Sequence, residues 1–293
     1  MKFDFKKFFK QVYEKALEED VVSNAAQVGF YFIFALFPLL LFLLSLFGII
    51  LESAETIRQE LFVYLKQLIP GAAFELIEKT LTEVVQESSG GKLTLGFIIA
   101  LWSASAGIDS IRIALNDVYD LKETRPWWKY KLTSLLLTLG IALLTIFALG
   151  IIFYGSQFLS LLLGVVGLAV QSSWILSVLS FIIVTAAMMS AFALLYAFAP
   201  NHDPFAWKWI TPGAITAIIL WLLFSFGFRL YLTYFDSYAK TYGSVGAIII
   251  LLLWLYLTAL VILIGGVVNA VADKFSASNI KTKKDENTKK DEK

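Results

Sequence analysis

The feature that most constrains the fold of this chain is a series of apolar runs long enough to cross a lipid bilayer. A helix needs about 20 residues to span a hydrocarbon core roughly 30 Å thick, whereas a barrel strand needs only about ten, alternating in polarity. Hydrophobic residues make up 58% of the chain and charged residues 16%, unlike an average soluble domain. The sequence therefore predicts an all-α integral membrane protein. The candidate runs lie at about 25–51, 93–113, 132–163, 174–199, 210–235 and 243–272.

The distribution of lysine and arginine decides how many of these runs are spans. Basic residues collect on the cytoplasmic side of a membrane, and lysines are dense both in residues 2–15 and in residues 274–293. Both termini are therefore predicted to be cytoplasmic, which requires an even number of crossings. Because the second run is only marginal in length, this parity decides that it crosses, and the prediction is a six-span transmembrane helix bundle.

Residues 1–20 precede the first span and have the pattern of an amphipathic helix. Apolar side chains recur at helical spacing between lysines, which is typical of a helix lying in the interface of an anionic leaflet. We predict a cytoplasmic amphipathic interfacial helix, with an ordinary packing helix as the alternative. The apolar pattern consists of Phe5, Phe8, Phe9, Val12, Ala16 and Leu17.

The remaining segments outside the spans are the first loop and the tail. The loop, 52–92, has two apolar stripes separated by Pro70-Gly71, which predicts an extracytoplasmic helical hairpin. Its seven acidic and four basic residues disfavour adhesion to anionic lipid, so a cap folded over the spans is favoured over a partner-docking module. This hairpin belongs to the membrane domain, 21–272. The mostly polar segment 273–293 is predicted to be a disordered cytoplasmic tail.

The second run carries two distinctive faces when its residues are placed at 100° intervals. A face of small residues lets another helix approach closely, and a polar stripe includes Asp109 and Arg112, three residues apart and able to pair. The small-residue face contains Ser103, Gly107, Ser110 and Ala114. The polar stripe contains Ser105, Asp109, Arg112 and Asn116.

Charges in the inner half of a span need a physical reason. An ion pair there costs several kcal/mol unless it faces the bundle or water. The stripe is therefore predicted to line a polar pathway, to which Gln27 and Tyr31 of the first span and Asn269 of the last contribute. The alternative is that Arg112 and Asn116 snorkel to the headgroups. The sequence alone leaves both open.

Four stretches of the chain, in this order, resemble the YihY/BrkB family of bacterial inner-membrane proteins. They are NAAQVGFYFIFALFPLLLFLLSLFG (24–48), WSASAGIDSIRIALNDVYDLKETRPWWKYKL (102–132), the AFAPN…W…TPGA connection (197–214) and YGSVGAIIILLLWLYLTALVILIGGVVNA (242–270). The resemblance implies six spans, cytoplasmic termini and location in the bacterial cytoplasmic membrane. It also implies that the family positions are Phe30-Tyr31, Phe37-Pro38, Trp102-Ser103-Ala104-Ser105 with Gly107, Glu123-Thr124-Arg125-Pro126, and Tyr242-Gly243-Ser244 with Gly246.

One departure from the family lies in the last span. Many relatives have an acidic residue between the glycine and the asparagine of that span, where this chain has Val267 and Val268. A proton or cation role assigned to that carboxylate therefore does not transfer to this chain.

Catalytic chemistry has little support in the sequence. The chain has no cysteine and a single histidine, His202, whereas a metal-dependent nuclease needs clustered histidine and carboxylate ligands. There is no phosphate-binding loop of the Walker type and no serine-nucleophile elbow. We predict no enzyme activity, no catalytic residue, no metal, no cofactor and no nucleic-acid partner, although the family has at times carried a ribonuclease label.

Two functions remain. The first is a transporter of a small solute or of an amphiphile such as lipid, since a polar stripe and spans interrupted by proline and glycine can expose backbone groups to a substrate. The alternative is a non-transporting structural or regulatory envelope protein acting through partners, with a closed core as its signature. Apart from a substrate, the partner predicted here is the lipid bilayer. The interrupting residues are Pro38, Pro212-Gly213, Gly243 and Gly246.

Overall fold

The computed structural model describes residues 4–53, 90–165, 173–202, 208–234 and 237–291, and their regular structure is entirely helical. Six of the helices contain segments long and apolar enough to cross a membrane, which confirms the prediction of an all-α protein with six spans. In chain order the helices are α1 Phe5–Glu18, α2 Val21–Ser53, α3 Gly90–Val118, α4 Trp127–Val165, α5 Ser173–Phe198, α6 Pro212–Tyr234 and α7 Ser237–Asp291.

Local chemistry sets the ends of several helices. The Asp4 carboxylate accepts a hydrogen bond from the Lys7 backbone N–H and caps the start of α1. At the end of α3, the Leu121 N–H bonds the Asn116 carbonyl at 2.8 Å, and Asp120 takes a left-handed conformation with φ 57°. This is a Schellman arrangement, in which a left-handed residue terminates the helix and its last carbonyls remain bonded.

The described chain divides into two compact units, Met1–Phe30 with Gly107–Lys293 and Tyr31–Ala106. In the first unit α4 packs on α5, α6 on α7, and α1 on α7. Its core contains the fully buried side chains Ile111, Leu115, Leu263, Val21, Val28, Val118, Val261 and Val267.

The second unit contains the rest of α2 and the first part of α3. Ala35, Ala100 and Ser105 are buried there. Pro38 lies inside α2, where it leaves one carbonyl without its usual helical donor.

Burial differs sharply among the spans. Half of an 18-residue window within Thr94–Val118 is buried, against 11% of the window within Trp127–Ile152. The more open spans expose large apolar side chains, such as Ile146 and Phe181, which hydrocarbon can cover but water cannot without cost. The polar stripe predicted from the sequence therefore lies on the most enclosed of the six spans.

Most of the predicted hairpin at 52–92 lies outside the described residues. In the structure α7 continues as helix to Asp291, through most of the segment 273–293 that the sequence predicts to be a disordered cytoplasmic tail. The physical reason is that this segment has no glycine or proline to stop the helix, and propagation requires only one further backbone bond per residue.

Candidate functional site

Glu123, in the connection between α3 and α4, is bonded to several donors. Its carboxylate accepts hydrogen bonds from Arg112 Nη1 at 2.6 Å, from Arg125 Nε at 2.8 Å and from Asn116 Nδ2 at 3.3 Å. Burial raises the pKa of the Glu123 carboxyl, but the bonds from Arg125 and Arg112 outweigh burial and bring the pKa down to about 2. Glu123 is therefore ionised throughout the physiological pH range.

The same connection is tied to the segment that follows α5. Arg125 Nη2 donates to the Ala199 carbonyl at 3.0 Å, which satisfies a group at the end of α5. The Asn201 backbone N–H donates to Asn116 Oδ1 at 2.8 Å, and Asn201 Nδ2 donates to the Lys122 carbonyl at 2.8 Å. Side chains of α3 and the two connections thus form one hydrogen-bonded structure.

Arg112 is buried where α3 meets α4. Only 6% of the residue is exposed, and its guanidinium lies 4.1 Å from the ring centre of Tyr130, over the ring face. Arg112 Nε lies 3.8 Å from Asp109 Oδ1 and has no hydrogen-bond partner among the described residues. The guanidinium is thus held mainly by Glu123 and Tyr130 inside the protein.

Asp109 takes its closest partners from α4. Lys131 Nζ donates to Asp109 Oδ2 at 2.8 Å, and Ser134 Oγ donates to Oδ1 at 2.6 Å. Lys131 and Ser134 are both buried. The positive charge of Lys131 and the negative charge of Asp109 therefore pair inside the protein, next to Arg112. We call the whole set the α3 polar cluster, which comprises Asp109, Arg112, Asn116, Glu123, Arg125, Tyr130, Lys131, Ser134 and Asn201.

A cavity of about 90 Å³ lies next to this cluster. His202 directly follows Asn201, and its ring meets the edge of the Tyr119 ring at a centroid distance of 4.7 Å. Burial lowers the pKa of His202, and a hydrogen bond to the Tyr196 backbone opposes part of that effect, so the histidine is neutral near pH 7. The cavity is lined by Tyr119, Ala193, Tyr196, Ala197, His202, Lys208, Thr211, Pro212, Asn269 and Asp273.

Two glycines bring α6 and α7 close together beside the cavity. A Cβ atom on Gly213 would overlap the Gly265 carbonyl oxygen and the Asn269 side chain, and one on Gly265 would overlap the Tyr196 hydroxyl. This contact allows Asn269 Oδ1 to accept the Gly213 backbone N–H at 2.7 Å. The hydroxyl of Tyr196 donates to the Ile262 carbonyl at 2.8 Å. Asn269 therefore serves as a cap for α6 from the neighbouring helix.

Charged and hydroxyl groups lie at the margin of the cavity. Lys208 and Asp273 form an exposed pair at 2.7 Å, and Thr211 Oγ1 accepts the Ala214 N–H at 3.1 Å. The cavity therefore offers a neutral imidazole, hydroxyls, an amide and one ion pair to a bound molecule.

The structure separates the residues predicted for the polar pathway. Asp109, Arg112 and Asn116 belong to the α3 polar cluster, and Asn269 lines the cavity. Gln27 is exposed at the surface of the first unit, and its part in a pathway stays a prediction.

The other predicted residues of α2 and α3 divide between the two units. Tyr31 and Ser105 belong to the second unit, where Ser105 Oγ donates to the Trp102 carbonyl at 2.6 Å. On the predicted small-residue face of α3, Gly107, Ser110 and Ala114 are buried, whereas Ser103 is half-buried.

Sequence reasoning did not identify several residues that complete the site. Glu123 was noted only as part of a family motif, and Asn201 only as part of a connection. The available signal was a single acidic residue, Glu123, among four basic residues in 122–131, which predicts local ion pairing. No local pattern connects Asn201 to Asn116, since 85 residues separate them.

A family model described as virulence factor BrkB matches residues 12–291 of the chain. The chain belongs to the BrkB family. Val267 and Val268, where many relatives were expected to have a carboxylate, are buried apolar residues here.

Three individual relatives are similar to most of the chain, and two of them are named as membrane proteins. A Bacillus subtilis protein whose name contains the words "ribonuclease-like protein YfkH" is 32% identical over 270 residues, covering 91% of this chain and 95% of that protein. UPF0761 membrane proteins of Aliivibrio salmonicida and Aliivibrio fischeri are 29% and 30% identical, over 90% and 92% of this chain and 82% and 83% of their own lengths. No solved structure matches the chain significantly.

Proposed function

We propose that this protein is a transporter that moves a small solute or an amphiphile such as lipid across the bacterial cytoplasmic membrane. The observation that supports this proposal best is the placement of the α3 polar cluster beside a polar cavity, both at the ends of membrane spans. Asp109 and Arg112 lie within the span Thr94–Val118, where charged residues are costly and commonly mark a substrate route. Both termini, α1 and the α3 polar cluster are proposed to lie on the cytoplasmic side.

The arrangement corresponds to a closed state of such a transporter. The cavity, about 90 Å³ in volume, is smaller than the ~300–1,000 Å³ typical of pockets that bind small molecules. Passage of either substrate class would require the ends of α6 and α7 to separate. Their tight contact at Gly213 and Gly265 leaves the cap from Asn269 as a bond that must break in that step.

A substrate-independent experiment tests this function. The chain has no cysteine, so Ala197→Cys places one thiol at the cavity, where Ala197 is 6% exposed. A membrane-impermeant thiol reagent is then applied to right-side-out and to inside-out vesicles. Alternating access predicts modification of Ala197→Cys from both sides, whereas the control Thr124→Cys, at an exposed position, reacts from the cytoplasmic side only.

The alternative, a structural or regulatory envelope protein acting through partners, has one observation in its favour. Each acid of the α3 polar cluster is paired with at least one base of the same cluster, as expected of a network that holds helices together. Modification of Ala197→Cys from a single side, or from neither, would support this alternative and contradict transport. On either function we infer that the protein is not an enzyme, from its single histidine and lack of cysteine.

A further inference from the structure

One side of helix α1 is anchored to Asp120 and to α7. On that side Phe8 meets Phe275 of α7 edge to face, with ring centroids 5.6 Å apart. Lys15 is buried and donates to Asp120 at 2.7 Å and to Glu19 at 2.7 Å. Lys274 of α7 bonds the other oxygen of Asp120 at 2.7 Å. These contacts fix both the position and the rotation of α1.

A different side of α1 exposes a continuous row of large apolar side chains. Residues four apart lie on one face of a helix, and four such residues follow one another along α1. Removing apolar side chains of this size from water is favourable, so a row of them facing water is unfavourable. We call this row the outer stripe, and its exposed fractions are 66% for Phe5, 65% for Phe9, 66% for Tyr13 and 57% for Leu17.

The contacts of α1 fix its height relative to the spans. Asp120, which binds Lys15, lies two residues beyond the end of the span Thr94–Val118. The connection from α1 to α2 consists only of Glu19 and Asp20, and Asp20 makes the turn with φ 46°. Helix α1 is therefore held at the level where the spans leave the hydrocarbon, and its axis follows a sharp turn from α2.

Charge along α1 is unevenly distributed. The half that contains Phe5 and Phe9 also carries the exposed residues Lys6, Lys7 and Lys10. The exposed acids Glu14 and Glu18 lie in the other half. The first half thus combines aromatic rings with positive charge, a combination that suits an anionic lipid surface.

We propose that the outer stripe of α1 inserts into the adjacent leaflet of the membrane, with anionic phospholipid headgroups bound by the lysines of its first half. The packed side of α1 then holds the protein, the outer stripe enters lipid, and the acidic side faces water. On this proposal one side of α1 is a packing face and another is interfacial, so the two sequence-based alternatives describe different sides of one helix. The proposal does not depend on transport.

Site-directed spin labelling of the full cysteine-free chain tests this inference. Nitroxides are attached to Phe9→Cys and Tyr13→Cys in the outer stripe, and to Glu14→Cys as the matched control. The protein is reconstituted in vesicles of phosphatidylethanolamine and phosphatidylglycerol, and collisions with oxygen and with a water-soluble nickel chelate are measured. The labels at 9 and 13 are expected ~5–10 Å below the headgroup boundary, rich in oxygen collisions, while the label at 14 collides with nickel.

Three results would overturn the proposal in whole or in part. Nickel accessibility at 9 and 13 equal to that at 14 would show that the stripe faces water. Dipolar broadening at position 9 that disappears on dilution with unlabelled protein would show a second copy of the chain as the occupant. Equal depth in vesicles of phosphatidylcholine alone would remove the role of anionic lipid.

Discussion

Glu123 loses part of its hydration where it lies between Arg112 and Arg125, and this changes how it titrates. Burial alone would favour the protonated acid, but donors from both arginines favour the carboxylate. The pairing is reciprocal, since removal of Glu123 would leave Arg112 buried without its closest acidic partner. Breaking a buried pair in this way is more costly than losing an exposed one.

Substitution of Glu123 should therefore lower stability in a pH-dependent manner. Because the pKa in the folded protein is about 2, below the ordinary 4.5, ionised Glu123 stabilises the fold above pH 4.5, and this contribution is lost as pH falls toward 2. Glu123→Gln is expected to cost roughly 1.5–3 kcal/mol at neutral pH. Its thermal midpoint in detergent should approach that of the wild type across the acid range.

The matched control is Glu14→Gln, since Glu14 forms only an exposed pair with Lys10 at 3.5 Å. Such a pair contributes little, so the control should follow the wild type at every pH. If the thermal midpoint of Glu123→Gln differed from that of the wild type by the same amount from neutral to acid pH, the assigned role of the carboxylate would be contradicted.

At the level of helices, the sequence predicts what depends on local pattern. Apolar run length located five of the spans, and charge parity decided that the marginal second run is also a span, in agreement with the six spans observed. The pairing of helices does not depend on local pattern, because the contact of Gly213 with Gly265 joins residues far apart in the chain. A glycine run signals close approach without naming the partner, so the α6–α7 contact and its cavity were not predictable.

The α6–α7 contact yields a prediction with an internal control. Gly213→Ala would place a methyl group against the Gly265 carbonyl and the Asn269 side chain, so it should destabilise the protein by about 1–3 kcal/mol. Gly227→Ala lies on the same helix in open space and should be neutral or stabilising by up to about 1 kcal/mol. Thermal unfolding in detergent compares the two, and equal midpoints would contradict close packing at Gly213.

At the scale of the whole molecule, most of the described polar network lies at one end of the spans. It is formed by the connection after α3, the segment after α5, and helix α1. Hydrogen bonds join α3, the segment after α5 and α7 at that end. The exposed Trp127 and Trp128 mark the start of α4 there, as expected at a membrane interface. The basic termini predict that this end faces the cytoplasm.

Single-cysteine labelling tests this orientation directly. A thiol introduced as Ser89→Cys, in the predicted outer hairpin and outside the described residues, should react with an impermeant reagent added to intact cells. Thr124→Cys, which is exposed beside Glu123, should react only after the membrane is opened. The physical reason is the retention of lysine-rich segments on the cytoplasmic side, which fixes both termini and the even number of crossings. The reverse labelling pattern would invert the orientation, and labelling of both positions from outside would exclude the crossing by α3.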